Sequence, residues 1–357
     1  MRANEVRRQR ILAAVRSKGS VRVSDLAREL EVSVITVRRD VEELARGGEL
    51  RRGHGVARAL DGPASLMTDN PGPASAAGAV ALVVPERHAY LHETMEGARA
   101  VLEAAGRRVV LHIAPQAPGT EQRIVDRVLA EDVCGLLIAP RWRTTEAEEA
   151  DNAWLAAAGV PVVVMERRPR PGSVLHSVDS VCSDHWYGVH LALRHLVGLG
   201  HRRVVLAARD DSPTARALRG AFAEIAEATP SIEATSVLLS AVDAGPDASA
   251  PGPDLVGALT GIGATAAVLH GDVDALLLVQ QLADDGIRVP EDVSVIAYDD
   301  VVAALGSTPL TAVAPPKGPV GRLAAELLLR RLGGDTGPVQ RLELLPSLQV
   351  RGSTLAV

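Results

Sequence analysis

From residue 79 onward the chain consists of short apolar runs separated by longer stretches of helical period, and this alternation restricts the fold more than any other feature. The runs are AVALVVP (79–85), RRVVLHI (107–113), CGLLIAP (134–140), VPVVVME (160–166), RRVVLAA (202–208), AAVLHG (266–271) and DVSVIAYD (292–299). Most are nearly continuous in valine, isoleucine, leucine and alanine, without the strict alternation of a strand that has one wet face. A strand that is apolar on both sides must be covered on both sides, as in a parallel sheet with helices on each face. The stretches between the runs supply such helices; HETMEGARAVLEAAG and SDHWYGVHLALRHLVGLG are two of them. The number of runs suits two doubly wound α/β lobes. In such sheets a ligand binds in the crevice outside the carboxyl ends of the strands.

Charge divides the chain differently. Residues 1–58 hold 14 arginines and lysines against 8 carboxylates, a net +6, which leaves −12 for the remainder of a chain whose total is −6. A basic head on an acidic body predicts that only the head meets a polyanion. At 357 residues, 47% hydrophobic and 23% charged, the chain is globular and long enough for two or three domains. No apolar run is long enough to span a bilayer, and the basic N-terminus leads into an amphipathic helix with no apolar signal core. Cys134 and Cys182 offer neither a disulfide framework nor metal spacing, so a cytoplasmic location is expected.

In the head, residues 1–57, three helical segments are predicted. The first, roughly residues 5–17, turns Ile11, Leu12 and Val15 inward; the second follows Ser24 and turns Leu26, Ala27 and Leu30 inward. Ser33 caps the third, in which Val34, Val37, Val41 and Leu44 form one apolar stripe. Thr36, Arg38 and Arg39 then point away from the core near the helix start. Two short helices joined by a tight turn, the second basic at its beginning, have the geometry of a helix-turn-helix. GELRRGHGVA (48–57) is extended and glycine-rich, as a β-wing would be, and presents Arg51, Arg52 and His54. Residues 58–78, with three prolines and no periodicity, are read as a linker.

VSDLARELEVSVITVRRDVEELARGGELRRGHGVA resembles the DeoR-type winged helix-turn-helix, through its S-x-x-T-V-R-R-D helix and its L-x-R-x-H-G wing, although Val56 stands where that family usually has a second small residue. Residues 79–357 resemble the effector domain of the LacI/GalR repressors, itself similar to periplasmic sugar-binding proteins. That resemblance rests on VPVVVMERR, SDHWYGVHLALRHLVGLGHRRV, GIRVPEDVSVIAYDD, STPLTAV and PSLQVRGST. It implies two Rossmann-like lobes joined by crossovers, a small ligand in the cleft and dimerisation; together with the head, this predicts a double-stranded DNA operator and a sugar-like effector, with no cofactor and no membrane. By resemblance, Asp299, the first acid of YDD, hydrogen-bonds ligand hydroxyls; Asp184, Arg167 and Asp272 fall at corresponding positions; and Arg216 and Arg219 are both candidates for an arginine that clamps ligand. Tyr90 and Trp142 join them as aromatic residues at predicted strand ends, suited to stacking on a sugar. The linker has nothing like the hinge helix usual in that family.

His88 and His92, four apart with Glu93 adjacent, look like half a zinc site, but no third ligand has matching spacing, so no metal is expected. There is no Gly-x-Ser-x-Gly elbow and no glycine-rich phosphate loop with lysine. The expectation is a transcriptional regulator, most simply a repressor released by a sugar-like inducer. The alternative is an enzyme acting on a sugar or sugar phosphate with an accessory DNA-binding head.

Overall fold

A computed structural model describes residues 7, 11–12, 20–22, 26–27, 30, 32–46, 51–53, 56–58, 78–86, 89–115, 119–131, 133–142, 144–240 and 253–357. The chain divides into two compact units, Met1–Ala74 and Ser75–Val357. Residues 59–77, most of the predicted linker, lie outside the described residues, as do Val15, His54 and His88.

In the first unit, strand β1 (Ser20–Arg22), helix α1 (Val34–Arg46) and strands β2 (Arg51–Gly53) and β3 (Val56–Arg58) appear in that order. The three strands make an antiparallel sheet in the order β1-β3-β2, so β2 and β3 are the two arms of a wing. Val37, Val41 and Leu44, spaced along one face of α1, are buried with Ile11, Leu12, Leu26 and Ala27 in one core. Burying such side chains contributes about 1.5–3 kcal/mol each for the larger ones. The stripe read in the sequence is therefore the face that holds the recognition helix in place.

The second unit contains two sheets. The elements of its first lobe are β4 (Ala79–Pro85), α2 (His92–Ala104), β5 (Val109–Ala114), α3 (Thr120–Leu129), β6 (Val133–Ile138), α4 (Thr145–Ala156), β7 (Val162–Met165) and β8 (Asp179–Ser183). The second lobe follows with α5 (His185–Gly198), β9 (Arg203–Ala208), α6 (Pro213–Glu227), β10 (Ala234–Leu239), α7 (Leu255–Ile262), β11 (Ala266–His270), α8 (Asp272–Asp284), β12 (Ser294–Tyr298) and β13 (Thr311–Ala314). The chain then returns through α9 (Lys317–Leu332) and β14 (Arg341–Leu344) to the first lobe and ends with β15 (Ser347–Gln349) in the second. The sheet orders are β14-β8-β7-β6-β4-β5, parallel throughout, and β10-β9-β11-β12-β13-β15, parallel except for the last pair. Strand β4 is buried along its whole length, as its unbroken apolar run predicts.

Five strands, β8, β10, β13, β14 and β15, are additional to the runs read from the sequence. Strand β8 carries Asp179, Ser180 and Ser183, all buried. Asp179 is satisfied by Arg331 of α9, with contacts of 2.6 and 3.0 Å, and by the main-chain N–H of Gln340 at 2.7 Å. Its polarity is cancelled by partners more than 150 residues away. Helix α9 packs on α2 so closely that a Cβ at Gly321 would lie 1.8 Å from the carbonyl oxygen of Thr94. Thus α9, although it follows a strand of the second lobe, is part of the core of the first.

Candidate functional site

A cavity of about 870 Å³ opens between the lobes. Every part of its wall lies just beyond the carboxyl end of a parallel strand. In the first lobe Glu86 and Tyr90 follow β4, Arg141 follows β6 and Arg167 follows β7; in the second Arg209 and Asp211 follow β9, His270 to Asp274 close β11, and Asp299 and Val301 follow β12. Among the described residues, four that are not glycine have positive φ: Trp142 (29°), Glu166 (52°), Asp299 (106°) and Asp300 (51°). All four follow a strand at this rim. Such conformations cost on the order of 1–3 kcal/mol each and persist where the surroundings force them, commonly at ligand sites.

Asp272 builds the turn that carries Asp299. Its carboxylate accepts the N–H groups of Asp300 (3.1 Å), Val301 and Val302 (2.8 Å). Burial raises the pKa of Asp272, and those three hydrogen bonds oppose the shift. Burial, reinforced by Asp272, also holds the Asp299 carboxyl well above the usual carboxylate range, with Lys317 acting against it. Asp299 Oδ1 is buried and has no hydrogen-bond partner, and the same holds for His270 Nδ1. Burial pushes His270 down to about 4, so its ring is neutral near pH 7 and packs edge-on against Tyr298 at 6.4 Å. His185, lowered to about 3 chiefly by burial, places Nδ1 3.2 Å from the Tyr298 hydroxyl.

On the facing wall, the Tyr90 hydroxyl donates to Glu166 Oε1 at 3.3 Å, and Ser183 donates to the same carboxylate through N–H (3.2 Å) and hydroxyl (3.1 Å). Burial raises Glu166 and lowers the pKa of the neighbouring Arg167. Arg167 is oriented by two carbonyls, Pro140 at 2.5 Å and Glu166 at 2.7 Å. Opposite, Arg209 is held by both oxygens of Asp211 (3.1 and 2.9 Å) and by Asp274 (2.9 Å). The wall is a ring of fixed donors and acceptors with one aromatic face, Tyr90.

Of the eight cleft residues selected from the sequence, Tyr90, Arg167, Asp272 and Asp299 lie in this wall. Trp142, Asp184, Arg216 and Arg219 are not among its lining residues. Trp142 is 2% exposed and packs in the core of the first lobe. Asp184 caps α5 by accepting the N–H of Tyr187 at 2.9 Å. Arg216 donates to the Trp142 carbonyl, and Arg219 to that of Arg209. Arg141, Arg209, Asp211, His270 and Asp274 also line the wall, although none is expected there from the sequence. Arg141, Arg209 and His270 each end or closely follow an apolar run, and that position is the signal that would have found them. Among the described residues no group of three or more histidines, cysteines and carboxylates could hold a metal ion.

In the head, the Ser33 hydroxyl accepts the N–H of Thr36 at 3.2 Å and lies 2.8 Å from its hydroxyl, so Ser33 caps α1. Arg38 and Arg39 follow in the helix, with Arg39 exposed. Asp40 turns inward instead, 3% exposed, and pairs with Arg7 at 2.5 Å. Arg51 and Arg52 are on β2 of the wing.

A DeoR-like helix-turn-helix domain is recognised over residues 7–62 and a periplasmic binding protein-like domain over residues 193–354. An HTH-type transcriptional regulator of Streptomyces limosus, itself uncharacterised, is 32% identical over 296 residues, 78% of this chain and 79% of its own length. A LacI family transcriptional regulator from Mycobacterium smegmatis is 25% identical with a TM-score of 0.60, over 77% of this chain and 99% of that one. A ribose-bound LacI family regulator from Enterococcus faecium shares the fold at 22% identity, with a TM-score of 0.61 over 78% of this chain and 99% of its own. With a winged helix-turn-helix and a two-lobed cleft domain in one chain, the protein belongs to the HTH-type transcriptional regulators, its DNA-binding domain being DeoR-like and its C-terminal domain periplasmic binding protein-like.

Proposed function

We propose that this regulator is a repressor whose hold on operator DNA is set by a sugar or sugar derivative in the cleft, and that it works as a cytoplasmic homodimer. The observation that carries the reading is the pair of buried, unpartnered polar atoms on the cleft wall, Asp299 Oδ1 and His270 Nδ1. A buried polar atom without a partner costs about 1–3 kcal/mol, and a ligand hydroxyl, which both donates and accepts, relieves that cost for either. Tyr90 offers a flat face for a sugar ring, and the ribose held by the Enterococcus faecium regulator supports the same ligand class.

The head comprises residues 1–57, the linker 58–78 and the effector domain 79–357. Ser33, Thr36, Arg38 and Arg39 meet the major groove from the start of α1, while Arg51, Arg52 and His54 meet the backbone or minor groove from the wing. A cytoplasmic location agrees with the observation that no helix among the described residues is long and apolar enough to cross a membrane.

The test is a thermal-shift screen of the full chain against pentoses, hexoses, disaccharides and nucleosides, followed by titration of a duplex selected from random sequence, with and without each hit. A ligand at one hundred times its Kd stabilises the fold by about 2.7 kcal/mol, well within reach of the method. The expected result is a sugar that raises Tm and weakens duplex binding. A sugar that binds without altering duplex affinity would reject the regulatory reading.

A further inference from the structure

The chain uses arginine almost exclusively for positive charge: of its 38 basic residues only Lys18 and Lys317 are lysines. Lys317 is also buried, 4% exposed. Its nearest carboxylate, Glu93 Oε1, is 3.8 Å away and belongs to a largely exposed side chain. Instead of a close ion pair, the ammonium donates at 2.6 Å to the main-chain carbonyl of Asp299 and lies 5.6 Å from the centre of the Tyr90 ring. A buried ammonium without a close counter-ion carries a desolvation penalty that only its hydrogen bonds and nearby charges can offset.

The position is specific. Lys317 is the first residue of α9, just past the crossing from the second lobe to the first, and α9 is seated against α2 by the close approach at Gly321. The backbone of Lys317 therefore belongs to the first lobe, while its ammonium reaches a turn of the second. That turn holds Asp299 at φ 106°, a conformation that needs an external tie. Lys317 itself is not among the residues lining the cavity; it stands behind two that are, Tyr90 on one wall and Asp299 on the other.

We propose that Lys317 is the positioning residue of the cleft: its ammonium ties the Asp299 turn of one lobe to the Tyr90 wall of the other, so that the Asp299 carboxyl is correctly aimed only while the lobes are closed. The assignment rests on reading the cavity as the effector site, but its main readout needs no effector. Hydrogen exchange is followed on the full ligand-free chain as wild type, Lys317→Met and Lys317→Arg. Loss of the ammonium speeds exchange of the Asp300–Val302 amides about tenfold or more while the amides of Ser294–Tyr298 keep their protection, and Lys317→Arg restores the wild-type rate. Unchanged exchange of the turn in Lys317→Met overturns the proposal, and so does a failure of arginine to restore it. If Lys317→Met also loses protection across Ser294–Tyr298, Lys317→Gln takes its place with the same two readouts. D-ribose serves as the ligand probe: where it stabilises the wild type, Lys317→Met weakens its binding at least about tenfold. If no sugar binds the wild type, the effector reading fails, and the exchange measurement still decides the role of Lys317.

Discussion

The guanidinium of Arg216, on α6 of the second lobe, donates at 2.6 Å to the main-chain carbonyl of Trp142 on the first, and its other nitrogen lies 3.9 Å from the buried carboxylate of Glu148. One side chain thus spans the lobes from a position outside the cavity wall. Glu148 keeps a second cation, Arg170, at 3.3 Å. Arg216→Met should therefore lose one charge-assisted hydrogen bond without stranding the carboxylate. The expected loss is on the order of 1.5–3 kcal/mol in urea unfolding. Lysine at 216 should recover only part of it, because a point charge cannot serve both partners as a planar fork does. A midpoint unchanged in Arg216→Met would show that the contact contributes nothing to stability.

Arg39 and Asp40 are neighbours with opposite orientations, the first exposed and the second buried against Arg7. Arg39→Ala should weaken operator binding and, if the contact is to phosphate, reduce the slope of log affinity against log salt by about 0.9, with Tm unchanged. Asp40→Ala should do the reverse first, lowering the stability of the head by on the order of 1–3 kcal/mol through a stranded, partly buried arginine. Filter binding across a salt series, paired with calorimetry, separates the two, and equal duplex affinity for Arg39→Ala and wild type would remove Arg39 from the interface.

Gly321→Ala is the sharpest packing test. The added methyl meets the Thr94 carbonyl, which is main chain and cannot swing aside. Overpacking of this kind costs about 1–3 kcal/mol and occasionally more, and here it should lift α9 from α2. Denaturation of Gly321→Ala is expected to begin in the first lobe, with tryptophan fluorescence changing before total helix content. A variant as stable as wild type would contradict the close approach.

His270 supplies a pH prediction with a definite sign. Its folded-state pKa of about 4 lies below the ordinary 6.5, so the unfolded chain binds a proton that the native state refuses. Stability is fully present above about pH 6.5 and falls as pH drops toward 4, by at most on the order of 3 kcal/mol from this group. Asp299, Glu166 and Asp272, all raised by burial, act in the opposite sense: their contribution is complete below the ordinary carboxylate pKa and is lost as pH rises through the folded value. His270→Gln should flatten the acid limb between pH 6.5 and 4.5 when unfolding free energy is measured at half-unit steps. An acid limb as steep as that of wild type would mean that His270 contributes nothing to it, leaving the limb to other lowered histidines such as His185.

The apolar runs disclosed four of the six strands of the first sheet and three of the six of the second, because a strand buried on two faces has nowhere to hide its composition. Strand β8 escaped notice because Asp179 and Ser183 are neutralised by Arg331 and Glu166, partners that only the folded chain brings near. The same distinction holds in the cleft. Tyr90 is legible because it stands shortly after the end of an apolar run, where a parallel sheet must leave a loop, whereas Arg167, Asp272 and Asp299 are reached through the resemblance to LacI/GalR effector domains. Arg216 was selected as a ligand clamp, yet its partner Trp142 lies 74 residues away on the other lobe, and no local pattern encodes that meeting. In the head, the stripe Val37, Val41 and Leu44 fixed the orientation of α1, so the exposure of Arg39 followed from the sequence, whereas the inward turn of Asp40 depended on Arg7.

The final two strands are shared out, β14 to the first sheet and β15 to the second, only two residues apart. Neither sheet is complete until residues 341–349 are in place, so the last strands of the two lobes arrive together. A premature stop before residue 341 leaves an open edge on both sheets at once, and a nonsense allele that spares the DNA-reading head would yield a protein without a working sensor.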